Sequence, residues 1–214
     1  WLKLAAEKKN SNSHNAHDAL GVMFEFGQGV DKSLKEAMKW YQLGADQGNP
    51  FAQNSLGNFY FNGNGIEQNY KEAMKWYQLA ADQGFSNAQN SVGVMYDNGK
   101  GIEQNYKEAM KWFKLAADQG LSNAQINLGH SYFNGKGIEQ NYKEAMKWFK
   151  LAADQGLADA QNSLGSLYAN GQGVLQDYNE AMKWFKLASD QGNEVAKKNF
   201  KIVKNLEKQL LEKK

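Results

Sequence analysis

The sequence predicts an all-α solenoid of antiparallel helix pairs with 36-residue repeats, and three observations carry that prediction. First, Trp40, Trp76, Trp112, Trp148 and Trp184 stand 36 residues apart without exception, and self-similarity at a fixed period of roughly 20–50 residues marks a repeat array. Second, each unit holds two stretches with apolar residues at helical spacing. In one copy these are Ala88, Val92, Gly93 and Tyr96, followed by Tyr106, Ala109, Met110, Trp112, Phe113 and Ala116. Third, glycines punctuate the stretches: Gly-x-Gly with Ile or Val after the first helix, as in Gly99–Ile102, and a single Gly120 after the second. Loops this short make the two helices antiparallel neighbours. A unit this small buries its apolar face only against the next unit. The expected organisation is residues 1–13 as the tail of a preceding repeat helix and its loop, 14–192 as five full repeats, and 193–214 as a C-terminal capping helix.

Taken in order, residues 1–9 read as the end of one more recurring second helix. Trp1 lies 39 residues before Trp40, and the three extra residues are expected in a loop, Asn10-Ser-Asn-Ser13. In the full units the first helix is short. Asn49 can cap it and Pro50 suits its first turn, while Ser86/Gln89 and Ser122/Gln125 have capping-box spacing. The second helix opens on the same spacing in every copy: Ser33/Glu36, Asn69/Glu72, Asn105/Glu108, Asn141/Glu144 and Asp177/Glu180. Ala73, Ala80 and Gly93, with their equivalents, allow close approach of the helices. The invariant tryptophans are expected in the core, each indole N–H needing a partner. At the C-terminus Lys201 stands where the preceding copy has Gly165, and the pattern runs on through Ile202, Val203, Leu206, Leu210 and Leu211 among lysines and glutamates. That reads as one amphipathic helix over 194–213 covering the apolar end of the stack.

Composition removes several function classes. The formal net charge is +2, and all 25 basic residues are lysine. Without arginine, the commonest reader of guanine, nucleic acid is not an expected partner. There is no cysteine, hence no disulfide framework, thiol chemistry or Cys-ligated zinc. No run approaches the ~18 apolar residues of a membrane span, so no membrane insertion is expected. His14 and His17 lack a third ligand and read as bystanders in a polar loop. Asp97-Asn-Gly-Lys-Gly lacks the alternating acids of a calcium loop, and Gly135-Lys-Gly lacks the spacing of a phosphate loop. No serine joins a His and an Asp in a nucleophile pattern. The expectation is a monomeric protein without catalytic residues, metal or cofactor.

Five copies of Ala-x-x-Trp-Tyr/Phe-x-x-Ala-Ala-x-x-Gly, each joined to Ala-Gln-x-x-Leu-Gly-x-x-Tyr-x-x-Gly-x-Gly or a close variant, cover essentially residues 1–200. This pattern closely resembles the SEL-one-like repeat family, a relative of the tetratricopeptide repeat, in its non-disulfide bacterial form. The resemblance implies a right-handed α/α superhelix and a non-catalytic scaffold or adaptor that binds a protein or peptide.

Differences between copies locate the expected site. Residues 102–120 and 138–156 are identical, whereas the first helices vary. If the tetratricopeptide geometry holds, with Leu56, Gly57 and Tyr60 packing inward, the flanking positions face a concave groove. They are Asp18, Val22, Glu25 and Phe26; Phe51, Asn54, Asn58, Phe61 and Asn62; Asn90, Val94, Asp97 and Asn98; Ile126, His130, Phe133 and Asn134; and Asn162, Ser166, Ala169 and Asn170. The asparagines would pair with a peptide backbone, and Phe61 and Phe133 would be anchors. Two other readings stand beside this one. The first is an immunity or inhibitor protein blocking a bacterial effector. The second is an envelope enzyme or cell-wall ligand binder, for which no acidic or Ser/Lys cluster is present.

Overall fold

The computed structural model describes residues 11–212, so the expectation for residues 1–9 lies outside it. Its helices in chain order are α1 (Ser11–Phe26), α2 (Leu34–Asp46), α3 (Pro50–Asn62), α4 (Tyr70–Asp82), α5 (Ser86–Asn98), α6 (Tyr106–Asp118), α7 (Ser122–Asn134), α8 (Tyr142–Asp154), α9 (Ala158–Asn170), α10 (Tyr178–Asp190) and α11 (Glu194–Leu211). Contacts divide the chain into two units, Trp1–Asn105 with α1–α5 and Tyr106–Lys214 with α6–α11. Within each unit consecutive helices pack as antiparallel neighbours. Tyr41 of α2 meets Glu25 and Gly21 of α1, whereas Gly44, one turn further along α2, meets Asp18 and His17, further back on α1.

The caps explain the helix limits. Asn49 accepts from the Phe51 and Ala52 amides, with Pro50 in the first turn, as its sequence suggests. Ser33, Asn69, Asn141 and Asp177 cap the even-numbered helices through their side chains. Only half of each expected box forms. The N–H of Asn69 donates to Tyr60 O at 2.9 Å, and that of Asn141 to Tyr132 O at 2.9 Å, leaving Glu72 and Glu144 to pair with Lys75 and Lys147. The expected boxes at Ser86/Gln89 and Ser122/Gln125 do not form. The capping positions are Phe85 and Leu121, without a side-chain hydrogen bond, because the two glutamines are engaged elsewhere. The expected loop over 10–13 is helical from Ser11. At 16 residues α1 exceeds its 13-residue counterparts by the three that the Trp spacing revealed. No Gly or Pro interrupts them, and each residue added to an existing helix brings a further hydrogen bond.

Of the two neighbouring aromatic residues expected in the core of each even-numbered helix, the second fills it. Tyr41, Tyr77, Phe113, Phe149 and Phe185, each following a tryptophan, are all but sealed, at 1–3% exposure. Tyr41, Tyr77, Phe149 and Phe185 press on Gly21, Gly57, Gly129 and Gly165 of the preceding helix, so closely that a Cβ on Gly57 would lie 2.4 Å from Tyr77 Cδ1, and one on Gly129 2.5 Å from Phe149 Cε1. Only Trp40 among the repeating tryptophans is buried, and its Nε1 has no acceptor among the described residues. Trp76, Trp112, Trp148 and Trp184 are half-buried. Two of them serve as joints between repeats: Trp76 packs on the cluster of Tyr41 and Leu56, and Trp184 on that of Phe149 and Leu164. Lys114 Nζ lies 5.1 Å from the Trp148 ring, and Lys150 Nζ 5.1 Å from that of Trp184. The odd-numbered helices shift similarly. Leu56 and Gly57 are buried as expected, but the third inward residue is Phe59 rather than the half-buried Tyr60. His17 is a core residue of α1 stacked on Trp40 at 5.9 Å, not a loop bystander.

A buried glutamine chain joins the repeats and was not expected. Gln53, Gln89, Gln125 and Gln161 are 4–5% exposed. Each donates to the carbonyl eight residues earlier, as Gln125 does to Ala117 O. Gln83, Gln155 and Gln191 then donate at 2.8 Å to Gln53, Gln125 and Gln161, a repeat away. Amides this deep require such partners. In α11, Ala196 and Val203 close the last core against Ala181, Phe185 and Ala188.

Candidate functional site

The varied positions of the odd-numbered helices converge unevenly. In the C-terminal unit His130, Phe133, Asn162 and Ser166 come together around a pocket of about 150 Å³ between α7 and α9, with Phe149 as floor and Ser163 on the rim. Phe133 stands edge-on to Tyr142, ring centroids 5.3 Å apart, and tilts over Phe149 at 6.5 Å. His130 meets Phe149 at 4.9 Å. Although much of the imidazole is exposed, burial of its Phe149 side pulls its pKa below the ordinary value, with Asp159 opposing and Lys136 reinforcing. Ser166 Oγ donates to Asn162 O at 3.0 Å, and Asn162 Oδ1 accepts from Asn199 Nδ2 at 3.0 Å.

In the N-terminal unit the same register is more fully engaged. Tyr77 donates its hydroxyl to Asn58 Oδ1 at 2.7 Å, and Tyr41 to Glu25 Oε2 at 2.7 Å. Burial pushes both phenols up, Glu25 adding to the rise at Tyr41. Phe61 lies 5.3 Å from Tyr70, and Lys100 Nζ stands 4.8 Å over the Phe61 ring. Asn98 Nδ2 turns back to Val94 O at 2.9 Å. Asn90, Val94 and Asp97 are half-buried, while Asn58, Asn62, Asn98 and Asn134 are exposed.

Two expected contacts do not fit. Asn54 is 8% and Ile126 9% exposed, because their register turns them against the neighbouring helix. Ile126 belongs to the core cluster with Phe149 and Leu164. Conversely, sequence reading named Ser166, Ala169 and Asn170 but passed over the pocket floor at Phe149 and the α11 side of a second pocket of about 240 Å³ between α9 and α11, with Ala169, Phe185 and Ile202 in its wall. The period itself held the signal: those three residues lie 36 after Phe133, Phe149 and Ser166.

Among the described residues no group of three His, Asp or Glu could hold a metal ion. Nor is any helix among them long and apolar enough to cross a membrane.

Five consecutive segments, residues 14–49, 50–85, 86–121, 122–157 and 158–193, match the Sel1 repeat. The protective antigen c5321 of uropathogenic Escherichia coli, which displays an SLR fold, has a TM-score of 0.86 and 35% identity. The match covers 94% of this chain and 43% of that one, so this chain spans less than half its length. A Sel1 repeat protein from Oxalobacter formigenes has a TM-score of 0.84 and 32% identity, covering 94% of this chain and 81% of its own. Immunity protein Pa5087 from Pseudomonas aeruginosa shares the fold at a TM-score of 0.58 and 19% identity, over 88% of this chain and 71% of that one. Among curated proteins none matches the chain.

Proposed function

The chain belongs to the Sel1 repeat family, and from that premise we propose that it is a non-catalytic scaffold whose odd-numbered helices receive a peptide or a segment of a partner protein. The observation that carries this reading is the pocket over Phe149. It combines an apolar floor and wall with a polar rim of His130, Asn162, Ser163 and Ser166, a composition suited to anchoring one side chain while pairing with the backbone beside it. His130, Phe133 and Ser166, which differ between copies, line it, whereas the even-numbered helices repeat almost unchanged. An apolar anchor seated in such a pocket dominates binding energy. The test is the double substitution Phe61→Ala and Phe133→Ala, measured against the partner captured from the source cell. Affinity falls at least about tenfold while the far-ultraviolet helical signal is retained. Unchanged affinity would move the interface away from these helices, to the outer face of the even-numbered ones.

A further inference from the structure

The two pockets of the C-terminal unit are the same site built twice at different sizes. His130, Phe133, Phe149, Ser163 and Ser166 define the first. Residues 36 further on, Ser166, Ala169, Phe185, Asn199 and Ile202, line the second. The decisive change is Phe133 to Ala169. The phenyl ring that narrows the first site is a methyl group in the second, and the volume rises from about 150 to about 240 Å³. Val203 and Leu206 of α11 extend the apolar wall of the larger site.

Charge is graded as well. The varied helices of the N-terminal unit carry Asp18, Glu25 and Asp97. The helix that walls the larger pocket carries Lys198, Lys201 and Lys204, none with a carboxylate partner among the described residues, since the neighbouring pairs are Lys197–Glu194 and Lys208–Glu212. Lys198 stands one turn before Ile202 at the lip of the pocket.

Polar capacity remains between the two pockets. Asn199 Nδ2 donates to Asn162 Oδ1, which leaves the Asn162 amide nitrogen and the Asn199 carbonyl oxygen for a ligand. A helical ligand satisfies its own backbone, but an extended one does not and would use both groups. Helices of successive repeats pack about 10 Å apart. A polyproline-type strand brings side chains i and i+3 to one face about 9 Å apart.

Resting on the groove reading above, we propose that this unit binds an acidic, extended peptide segment carrying two apolar side chains three residues apart. A small one enters beside Phe133, and a large one enters beside Ala169 under the lysines of α11.

The test is a display library of random peptides, each roughly a dozen residues, panned on the full chain and on Ala169→Phe and Phe133→Ala variants. Phe already occupies this register at 61 and 133 over an aromatic floor, so Ala169→Phe fits the scaffold, and a thermal melt verifies it. The unaltered chain is expected to enrich net-negative peptides with a small and a large apolar residue at i and i+3, and enrichment drops at about 0.5 M salt. Ala169→Phe weakens the selected peptides about tenfold and shifts selection toward two small residues. Phe133→Ala admits a large residue at both positions. The same side-chain sizes selected by all three proteins, or no acidic bias, would overturn this inference and leave the groove reading standing. No enrichment over an unrelated control protein would overturn both.

Discussion

In the N-terminal unit the ring that packs against the helical glycine is a tyrosine with an engaged hydroxyl, Tyr41 on Glu25 and Tyr77 on Asn58. In the C-terminal unit the floor rings of the two pockets are Phe149 and Phe185, where nothing at the ring tip can bond. The backbone beneath is the same in both. Glycine meets the ring at Gly57 and Gly129, left-handed glycine ends α3 and α7, and buried glutamines join the repeats on the same pattern. One oxygen per repeat therefore separates a floor tied to its wall by a hydrogen bond from one left apolar. Identical scaffolding thus bears two kinds of lining.

The largest expected effect breaks what the halves share. Gly129→Ala drives a Cβ to 2.5 Å from the Phe149 ring. The ring must rise toward the pocket or the helices must part, and overpacking of this kind costs about 1–3 kcal/mol, partly offset by alanine's better helix propensity. Chemical denaturation of the variant should show that loss, and Gly57→Ala should match it against Tyr77. A neutral result at both sites would mean the helices are not packed this closely. Next in size is Tyr77→Phe, which gives the N-terminal unit a C-terminal floor. Loss of the 2.7 Å bond to Asn58 is expected to cost about 1 kcal/mol, read from the same denaturation curves. Because the exposed Asn58 can turn to water, the cost should stay near that figure.

The smallest effect concerns pH. His130 has its folded-state pKa lowered by burial, so the unfolded chain binds the proton more readily. Its contribution is fully present above the unfolded value, near 6.5. It is lost as pH falls from there toward the lower folded value. His130→Gln should remove that component. The difference in melting temperature between the two proteins should change between pH 7.5 and 5.5, by the equivalent of less than about 0.5 kcal/mol. Parallel melting curves across that range would contradict the assignment.

Much of this architecture was legible in the sequence, because capping residues, glycines and the period act locally and repeat. The limits of the even-numbered helices followed from Ser33, Asn69, Asn141 and Asp177. What escaped was anything that depends on which way a repeated residue turns. Gln125 read as a capping-box partner of Ser122, and Gln53 drew no notice, because nothing in one dimension shows that their partners lie 30 residues ahead, in Gln155 and Gln83. The core position shared by Phe59, Met95, Ser131 and Leu167, all at most 4% exposed, was hidden by its variety, since an apolar template does not expect serine. Invariance misled in the opposite direction: Trp76 and Trp184 lie half-buried against the clusters of Tyr41 and Phe149 instead of filling a centre of their own. For the expected groove, Asn54 and Ile126 were assigned to it although a turn of the register seals them.

The most direct measurement is amide and side-chain NMR of the chain, free and bound to the partner captured from its source cell. Saturating partner is expected to shift the resonances of Phe133, Asn162 and Ser166 and their neighbours on α7 and α9, leaving the outer faces of α4, α6 and α8, marked by Leu79, Leu115 and Leu151, unmoved. Shifts confined to those leucines, with the pocket residues silent, would contradict the account.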